Sequence, residues 1–101
     1  MSDRRPVVIL VDLTAKPDHE EDVKREASAI FARIRRDEPA CTYITGHQSS
    51  SEPTRFIIYE EWRDVDEFDD FVAHRDYMSE YFTRLDGHVE HRGFVRWIRF
   101  A

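Results

Sequence analysis

The sequence predicts a single α+β domain in which strands and helices follow one another as β-α-β-β-α-β. Three observations predict it. A β-branched run, Val7-Val8-Ile9-Leu10-Val11, opens the fold. Two later segments place apolar residues at helical spacing behind acidic starts. Two alternating, strand-like runs lie between those segments, and one more follows them.

The first strand, Val7 to Leu13, is apolar on both alternating faces, as a central strand covered on both sides would be. Pro6 stands at its start, where a missing N–H does least harm. After a turn over Thr14 to Pro17, Asp18 is the expected N-cap, with Glu21 three residues on. Val23, Ala27, Ile30, Phe31 and Ile34 then form one helix face. Acidic Glu20, Glu21 and Asp22 begin that helix, and Arg33, Arg35 and Arg36 end it, as the helix dipole favours. Pro39 stops it.

Cys41 to Gln48 and Arg55 to Trp62 read as a hairpin around the polar loop Ser49 to Pro53. In the second of these strands Phe56, Ile58, Glu60 and Trp62 share a face. Asp64 with Glu67 is a capping signal for the second helical segment. Its stripe, Phe68, Phe71 and Val72 and then Met78, Tyr81, Phe82 and Leu85, changes phase around His74 to Asp76. Two short helices or one kinked helix are therefore expected. Asp86-Gly87 ends the segment, and Val89 to Phe100 is the last strand, with a bulge expected at Gly93.

This order is that of the ferredoxin-like split βαβ fold, with a four-stranded antiparallel sheet. A chain of 101 residues suffices for one such domain, spanning 1–101, with residues 1–5 expected to be a disordered tail. Both helical segments should cross the same sheet face. The other face is also apolar, and an exposed face of that kind marks an interface. Burying several hundred Å² of it contributes roughly 10 kcal/mol before association costs. The expected assembly is a homodimer, two sheets packed face to face into an α/β barrel.

A net charge of −6 argues against general nucleic-acid binding and against docking on anionic lipid. The longest apolar run is too short to cross a bilayer or to serve as a signal peptide, so a cytoplasmic location is expected. Cys41, the single cysteine, rules out a disulfide framework and a cysteine metal cluster. Gly46, Gly87 and Gly93 are isolated, so no phosphate-binding loop is expected. His88 and His91, three apart on an expected strand, would face opposite sides and make a poor metal pair, so no metal site is expected.

Four segments carry a family resemblance: Lys16-Pro17-Asp18-His19-Glu20-Glu21, Glu38-Pro39-Ala40-Cys41-Thr42-Tyr43, Tyr59-Glu60-Glu61-Trp62 and Arg63-Asp64-Val65-Asp66-Glu67-Phe68. Together they resemble the antibiotic biosynthesis monooxygenase (ABM) family, whose matching turns carry glycine where this chain has Asp18 and Ala40. The resemblance implies a dimeric barrel that oxidises an electron-rich aromatic molecule, a quinol or polyketide-like compound, with molecular oxygen and without metal or flavin. Two alternatives within the same fold are a haem-binding or haem-degrading oxygenase and a non-catalytic small-ligand-binding or stress-related barrel. In haem-degrading relatives the axial histidine falls at the position of Tyr81, and His74 lies on the same segment.

Such oxidation needs a dry aromatic cavity, and a base or cation to make and hold a phenolate. Trp62 is either a cavity wall that stacks on substrate and donates its indole N–H, or a core residue. Glu60 is either ion-paired with an arginine or a catalytic carboxylate of raised pKa. His74 is a general-base candidate or a surface histidine. Tyr43 and Tyr77 are hydrogen-bond donors to a substrate oxygen or packing residues, and His47, on the face of Tyr43, is a weaker binding candidate.

Overall fold

The apolar opening strand, β1 (Val7–Ala15), becomes the centre of the sheet because both of its edges find partners. A computed structural model describes residues 4–101. In it, β1 is followed by α1 (Glu20–Asp37), β2 (Cys41–Gln48), β3 (Arg55–Trp62), α2 (Val65–His74), α3 (Asp76–Asp86) and β4 (Val89–Trp97). These are the elements among the described residues, and they form the ferredoxin-like order. The sheet runs β2-β3-β1-β4, every neighbour antiparallel. The helices cover one face. Val7, Ile9 and Leu13 of β1 and Phe56, Ile58, Glu60 and Trp62 of β3 point into the core beneath them. Val23, Ile30, Phe31 and Ile34 of α1 close over them, with Phe68 and Phe71 of α2 and Met78, Tyr81 and Leu85 of α3.

The phase change at His74 resolves as two helices meeting at Arg75, whose backbone is extended. The Asp64 cap forms as expected, its carboxylate accepting from the Glu67 N–H at 3.3 Å. Three local expectations are corrected. Asp18 is not the N-cap of α1: its φ of 69° places it in the left-handed region, and His19 takes the N-cap position without a side-chain bond. The turn needs a left-handed residue, and aspartate is among the few besides glycine that tolerate it. β4 ends at Trp97 rather than Phe100, because its pairing with β1 runs out at Val8↔Trp97 and leaves Ile98 and Phe100 in solvent. Gly93 pairs regularly with Asp12; the irregularities fall instead at Thr14/Ala15 and at Cys41/Tyr43.

Of the tail expected to be disordered, residues 1–3 lie outside the described residues. Arg5 is tied to the start of α2: its N–H donates to Asp64 at 2.9 Å and its carbonyl accepts from the Val65 N–H at 2.9 Å. No helix among the described residues is long and apolar enough to cross a membrane.

Candidate active site

Strand alternation sets the site. Residues 58, 60 and 62 of β3 point toward the helices, so Glu60 carries a carboxylate into an otherwise apolar layer. There it borders a cavity of about 150 Å³ enclosed between the sheet and all three helices. Val11, Leu13, Ile44 and Ile58 form the floor with Glu60; Phe31, Phe68, Phe71, Met78 and Tyr81 form much of the roof. Arg92, Gly93 and Phe94 of β4 stand at the mouth with Val72 and Phe82. The guanidinium of Arg92 lies 4.3 Å above the Phe82 ring and is held by Asp86 at 2.6 Å.

Among the described residues Glu60 has no arginine partner. Its carboxylate accepts from Trp62, whose indole Nε1 donates to Oε1 at 2.7 Å. Residues two apart on a strand share a face, which brings the two side chains together. Burial pushes the Glu60 carboxyl up to about 7, partly opposed by the indole bond, which favours the charged form. Its charge is felt nearby. Burial and then Glu60 hold the Tyr81 phenol above its usual range, and the same two causes push the Cys41 thiol up to about 12.

The structure brings Glu60 and Trp62 together and leaves the other sequence candidates elsewhere. Trp62 is fully buried, packed on Phe71 (ring centroids 4.7 Å apart) and Phe68 (5.3 Å), behind the carboxylate rather than on the cavity wall. His74 faces solvent and pairs with Asp70 at 3.0 Å, one helical turn back. Tyr77 packs against the core beside Phe71 but outside the cavity lining, its hydroxyl donating to Glu38 and its ring 4.2 Å beneath Arg33. Tyr43 and His47 are on the opposite face of the sheet: Tyr43 stands edge-on to Tyr59, and His47 bonds Thr45 at 3.0 Å.

Tyr81 and Arg92 are the polar cavity residues that sequence reasoning did not select. Tyr81 sits in an apolar stripe and reads as core; the signal available was the family register, which sets it where some relatives carry a haem ligand. Arg92 is one of several strand arginines, and nothing in the one-dimensional pattern distinguishes it.

An antiparallel sheet covered on one side, with a carboxylate-bearing apolar cavity beneath the helices, defines a ferredoxin-like α+β protein. Residues 6–97 match the family model "Antibiotic biosynthesis monooxygenase", and the chain belongs to that family. No curated protein matches it. Among solved structures it is similar to a Pseudomonas aeruginosa protein at 22% identity and TM-score 0.87, covering 100% of both chains. A Shewanella oneidensis protein is similar at 20% identity and TM-score 0.86, covering 96% of this chain and 93% of that one. A Caulobacter crescentus protein provisionally named an antibiotic biosynthesis monooxygenase is similar at 12% identity and TM-score 0.89, covering 97% and 92%. At these identities the likeness is one of fold.

Proposed function

We propose that this protein is a cofactor-independent monooxygenase for a small electron-rich phenol, with Glu60 as its general base. The supporting observation is a carboxylate with a pKa of about 7 in an apolar cavity. A phenol ionises near 10, so an ordinary glutamate is a poor base for it, and burial removes roughly 3 kcal/mol of that mismatch. Trp62 orients the carboxylate. Tyr81, held protonated, is a donor to the phenolate that forms, and Arg92 at the mouth favours an anion. A cavity of about 150 Å³ suits a single aromatic ring. The substrate class is therefore a monocyclic quinol, or a larger polyketide-like compound that inserts one ring.

The substrate supplies the electrons. Glu60 takes a hydroxyl proton, the phenolate reduces oxygen, one oxygen atom bonds to the ring and the other leaves as water. A quinol plus O2 thus gives a hydroxyquinone plus H2O, in balance and with no added reductant. Haem does not fit this cavity: none of the described histidines lines it, and its volume is far below that of a porphyrin.

The open sheet face supports a second part of the proposal, that two copies pair through it. Tyr43, Ile57, Val95 and Trp97 are 43–57% exposed there. Large apolar side chains gathered on one open face are the kind of surface that marks an interface. Light scattering should give twice the 12.1 kDa chain mass, and a persistent monomer would refute the pairing.

The test of function is oxygen uptake with a panel of monocyclic quinols, in protein stripped of metal and free of flavin. Uptake should rise as pH passes about 7 and be lost in Glu60→Gln. Ligand binding without uptake across the panel would favour a non-catalytic binding barrel instead.

A further inference from the structure

Beside the turn that leads into β4, the fold gathers three metal-ligating side chains. We propose that His19, Asp22 and His88 form a zinc site with a fourth position open to solvent. His19 precedes α1, Asp22 lies in its first turn, and His88 sits in the turn before β4, 69 residues from His19.

The geometry carries the proposal. His19 Nδ1 is 3.0 Å from His88 Nδ1, and Asp22 Oδ2 is 3.4 Å from the first and 3.6 Å from the second. A tetrahedral zinc with bonds of about 2.0–2.1 Å has ligand atoms about 3.3 Å apart. Three atoms at these spacings form one face of that tetrahedron, and an ion about 2 Å from all three sits just outside their plane. The histidine nitrogens need to part by only about 0.3 Å to reach the ideal edge.

The frame exists without the ion. The Lys16 N–H donates to the His88 carbonyl at 2.9 Å, and the His19 N–H donates to the Lys16 carbonyl at 3.0 Å. One residue thus braces both histidine backbones. Asp22 uses its other oxygen, Oδ1, to accept from Arg25 at 2.7 Å, which leaves Oδ2 turned to the imidazoles. The three side chains are 23–37% exposed, enough to admit an ion and a water. Two imidazoles and one carboxylate suit zinc and its first-row neighbours rather than magnesium or calcium. The site lies outside the cavity and does not depend on the oxidation chemistry. Its effect would be to clip the start of α1 to the turn leading into β4.

His88 and His91 do not share a strand, because β4 begins at Val89, and His91 pairs with Asp12 at 2.8 Å. The partner of His88 is His19, which no spacing rule would have found.

The test uses untagged, chelator-treated protein titrated with zinc chloride by calorimetry, with cobalt absorption as a second readout. We expect one ion per chain with a Kd in the micromolar range, a tetrahedral cobalt spectrum and a raised Tm with zinc. Asp22→Asn, close to isosteric, and His88→Ala should each weaken binding at least tenfold, while His91→Ala leaves it unchanged. Absence of saturable uptake, unchanged affinity in Asp22→Asn, or loss of binding in His91→Ala would overturn the assignment. Circular dichroism checks that each variant is folded, and Asp22→Asn decides the matter if His88→Ala is not.

Discussion

The protonation of Glu60 has a consequence for stability that can be measured without knowing any substrate. In the unfolded chain its carboxyl ionises near 4.5; in the folded protein burial moves it to about 7. Between those values the folded state binds the proton and the unfolded state does not. Stability from this group is therefore fully present below about 4.5 and is lost as pH rises through about 7. The shift corresponds to roughly 3 kcal/mol, most of which falls between about pH 5 and about pH 8. Glu60→Gln keeps an oxygen to accept the Trp62 N–H, now 2.7 Å away, and removes the titration. Urea denaturation of both proteins at the two pH values isolates the effect, because every other titrating group cancels in the comparison. Wild type should lose roughly 2–3 kcal/mol more than the variant on going to high pH, about 10–20 °C in Tm. If the two proteins change in parallel, Glu60 is not a protonated buried acid, and its role as a base near neutral pH falls with it.

Three further outcomes are expected. Trp62→Phe removes the indole donor to the Glu60 carboxylate. It should raise the midpoint of the oxygen-uptake pH profile above about 7 and destabilise the fold by roughly 2 kcal/mol in urea melts; an unshifted midpoint would show that the indole bond does not tune the acid. Arg75→Met takes the guanidinium, at 2.9 and 3.1 Å, from the buried Glu38 carboxylate and leaves it the Tyr77 hydroxyl. A loss of about 2–3 kcal/mol is expected by chemical denaturation, toward the low end for a broken buried pair because Arg75 is partly in water, with quinol affinity unchanged. Gly46→Ala sets a Cβ 3.0 Å from the Phe31 ring. That ring also lines the cavity, so its displacement should cost about 1 kcal/mol of stability and severalfold in ligand affinity together; calorimetry with a bound quinol, alongside a melt, separates the two.

The sequence by itself determined what depends on neighbours in the chain. The two-faced apolar run of β1 announced a central strand. The stripe from Val23 to Ile34 announced α1, and the break near His74 announced that the second helical segment divides. That Glu60 and Trp62 share a face was legible for the same reason, since residues two apart on a strand must do so; the hydrogen bond between them was not. What tertiary structure alone decided are the meetings of residues far apart. Helix phase turned His74 to solvent, and register put Tyr43 and His47 on the sheet face away from the cavity. Packing of α3 against α1 gave Tyr77 to Glu38, 39 residues away. The closing of the last turn beside the first helix brought His88 to His19. Local periodicity fixes which way a side chain points; which other side chain it then finds depends on how whole elements dock, and no spacing in the chain records that.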